Sequence, residues 1–83
     1  MDFEKISEEL NNKNIQAIFD EKSESFKKFG KTFIGRLVGR TKYSQALGTK
    51  IMSFTILAGN YMAYKIPTED IKEISEFCNN LFN

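Results

Sequence analysis

Histidine and tryptophan are absent from the 83 residues of this chain, and cysteine and proline occur once each. Without histidine, zinc sites of the usual Cys/His kind and Ser-His or Cys-His nucleophile pairs cannot be assembled. Cys78 has no second cysteine to pair with, so no disulfide framework supports the fold and the expected compartment is reducing. No run of about 18 apolar residues is present. The start, Met1-Asp2-Phe3-Glu4, is acidic where a signal peptide needs a basic start followed by an apolar stretch. The expectation is a cytoplasmic protein that does not associate with membranes. Its length makes residues 1–83 a single domain, which buries only about 60–65% of the surface that its unfolded chain exposes.

Other catalytic patterns fail as well. Glu8-Glu9 and Asp20-Glu21 lie in acidic terminal segments and read as solvated helix faces rather than as a general acid/base pair. Gly35 to Gly39 lacks the Gly-Lys-Ser/Thr of a phosphate loop and lies in a strand-like context. The expectation is therefore no enzyme, with no catalytic residue, no metal ligand and no cofactor.

One sign of charge is missing from the middle of the chain. Residues 1–25 carry seven acids against Lys5, Lys13 and Lys22, and residues 69–83 carry four acids against Lys72. Between them, Phe26 to Thr68 holds Lys27, Lys28, Lys31, Arg36, Arg40, Lys42, Lys50 and Lys65 without a single Asp or Glu. The net charge of +1 thus conceals blocks of −4, +8 and −3. Surfaces tuned for solubility mix their signs, so an unbroken basic block calls for an anionic partner. The competing explanation is that acidic end segments fold back on a basic sheet and neutralise it.

Residues 2–24 read as one helix or a helix pair. Phe3, Ile6 and Leu10 follow a helical stripe that Ile15, Ile18 and Phe19 resume after the asparagine cluster. A C-terminal helix is predicted over 68–81, with Pro67 before it, Thr68 as cap, Glu69 and Asp70 in its first turn, and Ile71, Ile74, Cys78 and Leu81 on one face. On that face Cys78 reads as a buried structural thiol. The region 30–67 holds all five glycines and no glutamate, which favours strands at 31–40, 49–57 and 61–66 with a hairpin turn at Ala58-Gly59-Asn60. The expected class is α+β, with an N-terminal helix or helix pair, a small three-stranded antiparallel sheet and a C-terminal helix. The alternative is all-α and helix-turn-helix-like, because Leu47, Ile51, Phe54, Ala58 and Tyr61 also fit a helical series.

The basic block is interleaved with rings. Strict alternation over 31–40 sends Phe33, Gly35 and Leu37 one way and Ile34, Arg36, Val38 and Arg40 the other. Lys31, Arg36, Arg40, Lys42, Lys50 and Lys65, together with Tyr43, Tyr61 and Tyr64, then form a candidate nucleic-acid-binding surface on which cations follow the backbone and rings stack on bases. Phe33 and Phe54 read instead as core.

Phe33-Ile34-Gly35-Arg36-Leu37-Val38, followed after a loop by Gly48-Thr49-Lys50-Ile51-Met52-Ser53-Phe54-Thr55-Ile56-Leu57-Ala58, resembles the first strands of the bacterial single-stranded DNA-binding proteins, which have the OB-fold. The resemblance covers about 28 residues. It implies a strand pair that contacts single-stranded nucleic acid, with Arg36 at the strand arginine and Phe54 at an apolar strand position.

Two functions compete on these grounds. One is a non-catalytic nucleic-acid-binding module with a basic, tyrosine-bearing sheet surface. The other is a small phage or mobile-element protein that acts as an inhibitor or immunity factor by binding an acidic protein surface. Homo-oligomerisation is compatible with either, since a short chain with eight phenylalanines can leave a sheet face to be covered by a second copy.

Overall fold

A computed structural model describes residues 1–45 and 48–77. Along the chain come α1 (Phe3–Glu9), β1 (Asn14–Phe19), α2 (Glu24–Phe29), β2 (Thr32–Gln45), β3 (Gly48–Leu57), β4 (Ala63–Pro67), a 3-10 turn (Thr68–Asp70) and β5 (Ile71–Glu76). The strands form one antiparallel sheet in the order β4-β3-β2-β1-β5.

The α+β expectation of three strands and a C-terminal helix is overturned by this five-stranded sheet, and so is the all-α alternative. The three strands expected in the middle are present as β2, β3 and β4. The errors lie at the ends. Within residues 2–24 only Phe3–Glu9 and Glu24, the first residue of α2, are helical, whereas Asn14–Phe19 pairs with both β2 and β5. In β1 the buried residues are Ile15, Ala17 and Phe19, a period of two that overrides the helical spacing of Ile15, Ile18 and Phe19. The helix expected over 68–81 is a single 3-10 turn followed by β5, and Cys78 and Leu81 lie outside the described residues.

The sheet is curled. β4 and β5 are its opposite edges, yet only Thr68–Asp70 separate them. Four Cα–Cα steps span at most about 14 Å. Five flat strands would set their edges about 19 Å apart, so the sheet bends toward a half-open barrel. Hydrogen bonds hold the closure: Asp20 N–H donates to the Asp70 carbonyl (2.9 Å), Ser25 Oγ donates to Asp70 Oδ2 (2.6 Å), and Thr68 Oγ1 donates to the Ile51 carbonyl (2.9 Å).

Two kinds of residue permit the bend. Gly35 comes just before Arg36, where β2 passes from pairing with β1 to pairing with β3, and a Cβ on Gly35 would lie 2.6 Å from the Leu57 carbonyl oxygen. Only glycine fits that approach. Bulges do the rest, one at Val38 in β2, one at Met52 in β3 and one at Lys72 in β5, where the pairing register shifts by one residue.

Inside the curl, Ile15, Ala17, Phe19, Phe33, Leu37, Ile51, Phe54, Ile56, Ile66 and Ile71 form one buried cluster. Both helices cover this inner face. The α1 helix is N-capped by Asp2 and sets Phe3 edge-on to Phe54 at 5.8 Å. The α2 helix is N-capped by Ser23 and brings Phe29 edge-on to Phe33 (4.8 Å) and to Tyr64 (5.2 Å). No described helix is long and apolar enough to cross a membrane.

Candidate functional site

With both helices on the inner face, no described element covers the outer face of β2, β3 and β4. Register fixes what it displays. Cross-strand rows place Arg36 beside Leu57 and Ala63, Thr55 beside Lys65, Thr41 beside Ser53 and Pro67, and Tyr43 beside Lys50. Neighbouring strands are about 4.8 Å apart, so these rows make a patch about three strands wide.

The nine sequence-predicted residues divide between the two faces. Arg36, Tyr43, Lys50 and Lys65 share the outer side, where Tyr43, Lys50 and Lys65 meet in one groove and Arg36 lies seven residues along β2 from Tyr43. Arg40 and Lys42 do not join them, because the bulge at Val38 inserts one residue and turns the rest of β2 over. Arg40 pairs with the core residue Phe54, and its Nη1 donates to Ser7 Oγ of α1 at 2.7 Å. Lys42 pairs with Ile51, and its Nζ lies 3.2 Å from Glu4 Oε1 of the same helix. The strict alternation that put Arg36 and Arg40 on one face therefore fails at Val38. Tyr64 is half-buried in the ring cluster with Phe29 and Phe33, and its hydroxyl accepts from Asn60 Nδ2. Tyr61 stands apart at the β3–β4 turn, and Lys31 is exposed just ahead of β2.

A groove of about 570 Å³ runs over the outer face, lined by Thr41, Tyr43, Lys50, Met52, Ser53, Lys65, Pro67, Thr68 and Glu69. Its size falls within the range of small-molecule and single-nucleotide sites. Tyr43 and Met52, each half exposed, contribute its apolar surface together with Pro67. Sequence reasoning missed Met52, Pro67 and Glu69. Met52 alternates with Phe54 and Ile56 as if it were core, but the bulge turns it outward and buries Ile51 instead.

No protein-family model, curated protein or solved structure matches this chain. Its chemistry is therefore read from its own residues. Among the described residues, the salt bridges are Lys13–Glu76, Lys27–Glu24 and Lys42–Glu4, which leaves Arg36, Lys50 and Lys65 without an ion-pair partner. The acidic N-terminal helix thus neutralises part of the basic block, through Glu4 and Lys42. No cluster of three or more His, Cys, Asp or Glu side chains among the described residues could hold a metal ion. A second cleft of about 450 Å³ lies between α1 and β2, bordered by Ser7, Glu8 and Arg40, with Arg40 already committed to Ser7.

The outer face offers cations for phosphate or carboxylate, a ring that can stack, and apolar surface beside both. Val38 and Ile34 extend the apolar surface along β2, at 40% and 46% exposure against 1% for their neighbour Leu37.

Proposed function

We propose that this chain is a non-catalytic nucleic-acid-binding module that holds a single strand across the outer face of β2, β3 and β4. The observation that carries this reading is that Lys50 and Lys65, free of salt bridges among the described residues, line one groove with Tyr43, while Arg36, also free, lies farther along the same outer face. Cations spaced over a sheet with an exposed ring suit a flexible backbone whose bases stack. A helix in the major groove of a duplex is a poorer fit, because α1 and α2, at seven and six residues, both pack inward. The resemblance of the β2 and β3 segments to single-stranded DNA-binding proteins supports the same reading, with Arg36 outward and Phe54 in the core.

Fluorescence anisotropy with a labelled single-stranded oligonucleotide tests it. Micromolar binding at about 50 mM salt is expected, and three phosphate contacts predict a slope of log K against log salt of about −2. Lys50→Glu with Lys65→Glu should remove the binding. Absence of micromolar binding at that salt would overturn the reading, as would a double variant that binds like the parent.

A second reading is favoured by the apolar content of the same face. Met52, Val38, Ile34 and Tyr43, each 40–51% exposed, suit a protein partner with an acidic rim, in the manner of a small inhibitor or immunity protein from a phage or mobile element. One stoichiometric protein partner that survives nuclease treatment would favour it. A second copy of the chain could also cover this surface. Light scattering that returns a 9.6 kDa monomer would exclude the homodimer.

A further inference from the structure

The groove on the outer face contains one acid among its cations. Glu69 lies on the 3-10 turn at the groove wall, is exposed, and makes no salt bridge with Lys50 or Lys65 among the described residues. A carboxylate so placed weakens general attraction for phosphate. It adds something the rest of the groove lacks, a charged acceptor. The ammonium groups of Lys50 and Lys65 only donate, and the Thr68 hydroxyl is committed as a donor to the carbonyls of Ile51 and Met52.

Nucleobases differ in what they offer such an acceptor. Guanine presents two parallel donors, N1–H and N2–H, which match the two oxygens of a carboxylate. Cytosine and adenine each offer one amino group beside a ring acceptor that repels the second oxygen. Thymine and uracil offer one N–H flanked by two carbonyls.

We infer that Glu69 makes the groove selective for guanine, accepting from its Watson–Crick edge while the base lies against Tyr43 and the flanking phosphates meet Lys50 and Lys65. This rests on the single-strand reading above. Glu69 is a specificity residue here and contributes little to overall affinity. A bidentate base contact in an exposed groove should favour guanine about five- to tenfold, the low end of what such contacts give.

The test compares three labelled single strands by anisotropy: an oligothymidine of about twelve nucleotides, long enough for one sheet surface, the same strand with two separated central guanines, and that strand with inosine in their place. Inosine keeps N1–H and lacks the N2 amine. The parent protein should bind the guanine strand at least about fivefold more tightly than the other two. Glu69→Gln should lose that preference, with the oligothymidine and inosine strands bound somewhat more tightly because a negative charge has been removed and the guanine strand bound more weakly because its base contact is gone. Equal binding of all three strands by the parent would overturn the guanine assignment and leave the single-strand reading standing. Retention of the guanine preference by Glu69→Gln would overturn the role of Glu69. Failure to bind any strand would overturn both, and circular dichroism of each variant confirms that the compared proteins are folded.

Discussion

Tyr61 sits at φ 63° in the turn between β3 and β4, with 89% of its surface exposed. An L side chain in the left-handed region costs about 1 kcal/mol, and an exposed ring recovers little of that by packing. Tyr61→Gly should therefore raise stability by about 0.5 kcal/mol, after the greater entropy of an unfolded glycine is subtracted, seen as a higher urea midpoint. Gly35 is the opposite case. A Cβ placed 2.6 Å from the Leu57 carbonyl oxygen meets backbone that cannot step aside, so Gly35→Ala should destabilise by about 1–3 kcal/mol in the same measurement. Arg36 and Arg40, four positions apart, separate stability from binding. Arg40→Ala should cost about 1 kcal/mol through its bond to Ser7 and leave oligonucleotide affinity nearly intact. Arg36→Ala should do the reverse, leaving the urea midpoint in place while anisotropy shows weaker binding. The alternation of β2 was legible as far as Leu37, which is why Arg36 was placed correctly. One inserted residue carries no sign of itself in the amino-acid string, and Arg40 and Lys42 were lost to the wrong face.

The same device explains what went wrong among the elements. A bulge brings residues i and i+3 to one face of a strand, which is also the signature of a helix. Leu37 and Arg40 straddle Val38, Ile51 and Phe54 straddle Met52, and Ile71 and Ile74 straddle Lys72. The Ile51–Phe54 spacing fed the helical series through the middle, and the Ile71–Ile74 spacing fed the C-terminal helix. In the middle, glycines and the absence of glutamate decided for strands. After Pro67 no glycine intervenes, and Glu69-Asp70 imitates a helix start. Asp70 in fact serves another helix, since its carboxylate accepts from the backbone N–H and hydroxyl of Ser25 in α2. The turn itself is fastened by Thr68, buried and donating to the Ile51 carbonyl. Thr68→Val keeps the shape and removes the bond, and should lower stability by about 1 kcal/mol in thermal or urea unfolding.

Taken as a whole, the molecule keeps its acids and bases in separate territories. The −4 block supplies α1, which meets the inner-face cations Arg40 and Lys42, while the outer face keeps Arg36, Lys50 and Lys65. The fold-back explanation of the basic block thus applies to the inner side of the sheet, and the anionic partner we propose belongs to the outer side. The ion pairs that involve α1 and β5 are substantially solvated, so they contribute little to folding. Raising salt tenfold should move the unfolding midpoint only slightly, while oligonucleotide affinity falls by about a hundredfold, the product of a slope near −2. Parallel unfolding and anisotropy titrations would show whether the two respond separately.

The topology also sets an order of events during synthesis. Ala17 of β1 takes Ile74 of β5 as its neighbour, 57 positions later in the chain. At ribosomal speeds of about 5–20 residues per second, β1 waits about 3–11 s for that neighbour to be made. Through that interval β2 can cover only one of its sides, and the other remains an unpaired edge next to nascent chains of the same sequence. The acid-rich segment that precedes β1 is made before it, so the open edge emerges already accompanied by negative charge.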